Sequence, residues 1–259
     1  MPYDPEFITG HEVALPKLLP SLQSVAFNGG NSIGHTRFSV VFHQRRGFAI
    51  YTAHNIDGET IIDEEVIPRR DRFRFDPHVA RHLQVDNDRG YRGEHNLWDR
   101  GHLVRRRSLH WGPQGEAEEA DSESYFWTNI APQHSRLHDT AWGMIEDWIF
   151  EATDRSDSSA CVFTGPVYTE ADPERINAPG ELPIRIPAGY WKIIAIVHRQ
   201  QMTAAGFLVW QRDYDRDEPL EFDPILEQVR VTTLEFLTGL SFLSLRQADL
   251  LRFGAQLDL

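Results

Sequence analysis

Apolar positions along this chain mostly come in short runs with strand-like spacing, and a helical period emerges in only two places. Phe38-Ser39-Val40-Val41-Phe42 and Phe48-Ala49-Ile50-Tyr51 flank Arg45-Arg46-Gly47, which predicts two strands joined by a tight turn. Comparable runs predict strands over Leu97 to Val104, Tyr125 to Ile130, Ala160 to Tyr168, Tyr190 to His198 and Ala204 to Gln211. From Ser135 to Ala152 the period changes: Leu137, Ala141, Trp142, Ile145, Trp148 and Ile149 recur at intervals of three and four, a helix with Ser135 as its N-cap. A second helix is expected over Val231 to Leu237, stopped by Gly239. The acidic stretch Gly115 to Ser124 reads as an insert between two strands, and Ile56 to Asn96 as a long polar loop of the kind that carries function. Residues 1–34 form an arm without visible chemistry, and 35–259 the body. With no repeat, low-complexity tract or linker, the pattern predicts an α+β fold: a single domain with a central mixed or antiparallel β-sheet flanked by helices.

Composition narrows this picture. At 259 residues the chain buries enough surface to need no covalent staple, and its one cysteine, Cys161, cannot form an intrachain disulfide. That cysteine is expected to be a small buried apolar residue. No apolar run is long enough to span a membrane, and acid and proline stand where a secretory signal would place basic and apolar residues. A soluble protein is expected, either cytoplasmic or exported with its signal removed. The net charge of −13 argues on its face against a polyanionic partner. Its distribution reverses that reading. Between Arg69 and Arg107 eleven arginines face six acids, a local excess of five positive charges on a remainder of −18. A basic zone on an acidic body suits a phosphate-binding cleft.

Hydrolysis of a phosphodiester requires a base for water, a cation against the charge of the transition state, and donors that fix the phosphate. Asp99-Arg100-Gly101-His102 supplies candidates: an imidazole largely neutral at pH 7 and, two residues earlier on the same strand face, a guanidinium that can fork a phosphate.

Asp99-Arg100-Gly101-His102-Leu103, then Trp127-Thr128-Asn129-Ile130-Ala131-Pro132-Gln133, then Ala141-Trp142 and Glu146 form an ordered series. It resembles the DNA/RNA non-specific endonucleases, a family with a ββα-metal finger, which here would span about residues 97–152. Phe163-Thr164-Gly165-Pro166-Val167-Tyr168, Ile186-Pro187 with Tyr190-Trp191-Lys192, and Leu234-Glu235-Phe236-Leu237-Thr238-Gly239-Leu240 extend the resemblance to roughly residues 36–245 and bear on the fold more than on the chemistry.

The resemblance implies a hydrolase that cuts DNA and RNA without sequence preference and leaves 5′ phosphates. It implies His102 as general base, Arg100 as phosphate ligand, Glu146 as the residue that holds the metal through water, and Asn129 in a structural or substrate-positioning part. An upstream arginine that contacts the scissile phosphate aligns best with Arg72, with Arg70 and Arg74 nearly as good. Arg105, Arg106 and Arg107 are expected to extend the phosphate track. One divalent ion, Mg2+ or Mn2+, is the implied cofactor. Beyond DNA and RNA, a homodimer and a protein inhibitor are admitted as partners, and a membrane is not.

One position departs from the family. Where its metal-ligating asparagine stands, three residues before the Ala-Trp pair, this chain has His138. An imidazole can fill the same place on a divalent ion and would favour manganese over magnesium. Four alternatives stand beside that reading: a His138 that is only a helix-surface residue, with the metal held elsewhere or lost, a binding protein that kept the fold and lost cleavage with the asparagine, a nuclease narrowed to one polymer, and a zinc pair of His134 with His138.

Overall fold

The computed structural model describes residues 1–92, 98–138, 141–156, 158–176, 179–198, 200–211 and 225–255, with backbone alone at 138 and 141. In chain order the first elements are β1 (Lys17–Leu18), α1 (Pro20–Gln23), β2 (Ile33–His35), β3 (Phe38–His43), β4 (Phe48–Asp57) and α2 (Asn87–Gly90). Then come β5 (Trp98–His102), α3 (Gln114–Ser124), β6 (Ile130–His134), α4 (Ser135–His138) and α5 (Ala141–Arg155). The remainder contributes β7 (Ser159–Val167), β8 (Glu174–Arg175), β9 (Ile184–Arg185), β10 (Gly189–His198), β11 (Gln201–Trp210), β12 (Leu226–Val229), α6 (Val231–Thr238), β13 (Leu240–Ser241) and α7 (Leu245–Ala248).

Seven strands make one sheet in the order β12-β11-β10-β7-β4-β3-β2, with every pairing antiparallel. The expected hairpin is β3 and β4. Gly47 closes it at φ 78°, where a Cβ would lie 2.7 Å from Val85 Cγ2, so both the backbone sign and the space ask for glycine.

Both faces of the sheet are covered, which is why its central strands are apolar almost throughout instead of alternating. On one face Phe38, Val40, Phe48, Val162, Tyr190 and Ile194 pack with Trp142, Ile145 and Ile149 of α5 and with Leu103 and Trp127. On the other, Val41, Tyr51, Phe163, Trp191 and Leu208 pack with Val231 and Leu234 of α6 and with Tyr3, Ile8 and Val13 near the N-terminus. Cys161 is buried on this second face, and its sulfur accepts from Asn55 Nδ2 at 3.3 Å. Trp142 is fully buried and Trp148 packs at the edge of the same core.

Three expectations need correction. The stretch expected as a second finger strand, Tyr125 to Ile130, is a 3-10 turn over Trp127–Asn129, and the strand begins only at Ile130. The acidic insert is the helix α3, which buries Ala117, Ala120 and Ser124 on one side. Ser135 is not the cap of the next helix but its first residue, and His134 caps it by accepting from the Arg136 N–H at 3.2 Å through Nδ1. The C-terminal helix runs as expected and ends on Gly239 at φ 69°.

Among the described residues no helix is long and apolar enough to cross a membrane.

Candidate active site

β5 and β6 pair antiparallel from Trp98 opposite His134 to His102 opposite Ile130. Gly101 is required here by proximity: a Cβ on it would come within 2.2 Å of the Gln133 side chain. Just past His102 the chain is pinned by Asn129. Its Oδ1 accepts from the Val104 N–H at 2.9 Å, and its Nδ2 donates to the carbonyls of Val104 at 3.1 Å and Ser124 at 2.9 Å. Asn129 is fully buried, so its amide serves the backbone of the finger and does not face the cleft.

This hairpin, the 56–92 loop and α5 enclose a cleft of about 290 Å³ lined by Arg69, Phe73, Arg100, His102, Arg105 and Glu146, with Asp99, Arg106, Arg107 and Gln133 also on its walls. His102 stands between Phe73 and Tyr125, at ring distances of 5.8 and 5.0 Å. Arg100 lies with its guanidinium 4.4 Å above the ring of the same Phe73, so residues 100 and 102 share a face as alternation requires. The Nε2 of His102 is buried without a hydrogen-bond partner among the described residues. Burial is the main cause that pushes its pKa down to about 3, with Arg69 and Arg106 adding to the fall and Asp121 and Asp71 opposing it. The ring is therefore neutral at physiological pH.

Glu146 comes from α5 and is buried beneath the cleft. Its Oε1 accepts from Lys192 Nζ at 3.1 Å, while Oε2 has Arg105 Nε at 4.0 Å, beyond hydrogen-bond reach. Lys192 rises from β10, also donates to Thr164 Oγ1 at 3.1 Å, and lies 4.7 Å from the centre of the Trp142 ring. Burial lowers its pKa, and Glu146 resists that fall. Sequence reasoning used Thr164 and Lys192 only as marks of the fold. Their signal was a lysine and a threonine in strands otherwise apolar.

The arginines divide by what they already hold. Arg105 bonds Asp147 at 2.7 Å through Nη2, and its buried Nη1 has no hydrogen-bond partner among the described residues. Arg106 is nearly buried, and each of its three nitrogens is engaged, by Asp121 at 2.8 Å, Glu64 at 2.7 Å and the Ile67 carbonyl at 2.7 Å. It therefore braces the loop. Arg107 lies over Phe150 at 4.2 Å. Of the upstream group, Arg69 reaches the cleft, held at 2.7 Å by Asp71. Arg70 and Arg72 instead line a neighbouring pocket with Glu118 and Asp121, and Arg74 donates to the Ser122 carbonyl and stacks on Phe126. Gln133, in the sequence only a part of the motif, is buried on the cleft wall, and its Nε2 has no hydrogen-bond partner among the described residues.

His138 closes α4, directly after β6 and ahead of the helix that carries Glu146. Its side chain lies outside the described residues, and so does any zinc pair it would form. His134 has already given its Nδ1 to the helix cap.

The histidines make acid stability a readable quantity. Burial lowers His43 to about 4 and His102 to about 3, and it depresses His54 as well. Each is near 6.5 when unfolded, so between pH 6.5 and about 4 the unfolded chain binds more protons and stability falls with pH. Urea denaturation at pH 7, 6 and 5 should show stability falling as the pH is lowered, more steeply from 6 to 5 than from 7 to 6, towards a limit of about 1.4 kcal/mol per pH unit for each of these histidines, and His102→Ala should flatten the slope by one of them.

Against protein families, residues 21–249 match the model of the DNA/RNA non-specific endonucleases. The chain belongs to that family. It is 34% identical over 200 residues to the uncharacterized protein y4fB of Sinorhizobium fredii, covering 74% of this chain and 29% of that one. It is 36% identical over 146 residues to the nuclease of Serratia marcescens, covering 55% and 49%. Human mitochondrial endonuclease G is 29% identical over 182 residues, covering 66% and 55%. The chain thus spans about half or less of the length of these curated relatives. A chain from the crystal structure of the EndoG/EndoGI complex superimposes with a TM-score of 0.66 at 17% identity over 92% of this chain and 96% of that one, which shows a shared fold.

Proposed function

We propose that this family member is a metal-dependent, sequence-non-specific endonuclease that hydrolyses phosphodiester bonds of DNA and RNA and leaves 5′ phosphates. The finger at about 97–152 carries the chemistry within a nuclease unit over 35–259, and 1–34 is its arm. The observation that carries this reading is His102: a neutral imidazole held by two aromatic rings in an arginine-lined cleft shared with Glu146.

His102 takes a proton from the attacking water. Arg100 and Arg69 grip the phosphate, and Arg105 extends the track along the cleft wall. This gives Arg69 the part the sequence assigned to Arg72, because Arg69 is the one in the cleft. Glu146 fits a metal partner acting through water, since among the described residues Oε2 is not spent on a hydrogen bond, and His138 takes the direct ligand place. A divalent ion there would neutralise charge on the phosphate and the departing oxygen.

Digestion of plasmid and of RNA, with Mg2+, with Mn2+ and with a chelator, tests the reading. Cleavage of both polymers, abolished by the chelator and stronger in manganese, is expected. Binding without cleavage in any divalent ion would support the alternative of a binder that lost its chemistry. Contacts to the phosphate backbone alone make affinity fall with salt by about 0.9 log units per log of salt for each phosphate neutralised, at equal slope for unrelated sequences, which filter binding at several salt concentrations measures. An inhibitor protein is a further proposed partner, by analogy with the inhibited EndoG complex, and a homodimer would show at twice 29.9 kDa in light scattering.

A further inference from the structure

Apart from the cleft, three side chains meet where the edge strand β2 abuts the arginine-bearing loop. His35 comes from β2, and Asp76 and His78 from the loop. One ligand atom from each lies within 4.8 Å of the others. His35 Nε2 is 3.1 Å from Asp76 Oδ2, and His78 Nδ1 is 2.9 Å from Asp76 Oδ1.

His35 decides how this group is read. Its side chain is fully buried, stacked at 4.7 Å on Phe38, yet among the described residues neither ring nitrogen makes a well-aligned hydrogen bond. Nε2 is close enough to the carboxylate for one but is not aligned with it. A buried imidazole left so is costly, and native proteins rarely tolerate it. Misaligned proximity is the relation of two ligands that share an ion, not of a donor and its acceptor. The 3.1 Å between His35 and Asp76 is near the spacing of adjacent ligands on a tetrahedral zinc, about 3.3 Å when each is 2.0 to 2.1 Å from the metal, and the hydrogen bond that His78 Nδ1 shares with Asp76 Oδ1 at 2.9 Å would give way to the ion.

We propose that His35, Asp76 and His78 form a second metal site, separate from the cleft, that takes a zinc-class transition ion. Two imidazoles and one carboxylate suit such an ion and disfavour magnesium, which wants oxygen ligands. His78 is more than half exposed and gives the ion a way in from solvent, with water completing the coordination. Asp76 also accepts from Thr128 Oγ1 at 2.7 Å, two residues from the strand β6. An ion here would therefore tie the sheet edge, the loop that presents Arg69 and Phe73, and the finger to one point, and would act on stability and not on the chemical step.

The full chain, stripped with a chelator and dialysed, is titrated with Zn2+ and, as a spectroscopic probe, with Co2+. Bound metal is counted by mass spectrometry and the Tm followed by calorimetry, in the His138→Ala background to remove the cleft ligand. One zinc per chain that a thousandfold excess of Mg2+ does not displace is expected, with Tm raised by about 5 °C or more when free zinc is a hundredfold over Kd. His78→Ala, on an exposed side chain, should weaken zinc at least tenfold and cancel that rise while leaving magnesium-supported cleavage unchanged in the otherwise native chain. No uptake in the His138→Ala background, or uptake that His78→Ala does not weaken, overturns the proposal. Neither result touches the reading of the cleft.

Discussion

His102→Ala lowers the rate of plasmid cleavage by about 10² to 10⁴, the range for loss of a positioned general base. Affinity for nucleic acid, measured without metal, changes little, because the arginines of the cleft are untouched. The fold should hold as well: the ring packs edge-on against Tyr125, and its Nε2 gives up no hydrogen bond when removed. A variant that still cuts within threefold of the native rate, at saturating metal, would take the chemistry away from this residue.

The second large effect comes from Glu146. Removing its carboxylate by Glu146→Ala strands the Lys192 ammonium, only 2% exposed at its side chain, and the cost should be about 3 to 5 kcal/mol in urea denaturation. Glu146→Leu with Lys192→Met replaces the ion pair by apolar groups of similar size and should recover most of that stability. Cleavage should not return, since the carboxylate is still missing. Recovery of both together would mean that Glu146 matters only as the counter-ion of Lys192.

Five of the seven strands of the main sheet, β3, β4, β7, β10 and β11, and the helices α5 and α6 were legible because apolar runs or a period of 3.6 are written in consecutive side chains, whereas the short edge strands β2 and β12 were not. The second finger strand was not. Tyr125 to Ile130 is rich in aromatic and β-branched residues, but Asn129 turns the chain through bonds to Val104, 25 residues away, and nothing local records that contact. Helix α3 was hidden for a different reason: its buried face is built of Ala117, Ala120 and Ser124, too small to stand out among acids.

At the site, His102, Arg100 and Glu146 could be read from a motif and from strand and helix spacing. The upstream arginine could not. Arg70, Arg72 and Arg74 are nearly equivalent in the sequence, with Arg72 preferred, and what separates the arginines is tertiary: Arg69 lines the cleft, held by Asp71, Arg70 and Arg72 line a neighbouring pocket, and Ser122 and Phe126 claim Arg74. Lys192 stands out less than it should in the sequence, although a lysine beside Ile193 and Ile194 calls for a buried acid, and Glu146 supplies it.

Cys161 has a practical consequence. Burial pushes its thiol up to about 11, so almost none is thiolate at neutral pH, the form that reacts with alkylating reagents. A cysteine engineered at the exposed position of Arg72 would then be the one reactive handle on the chain, and a dye placed there would report on nucleic acid arriving at the cleft without the native sulfur having to be mutated away.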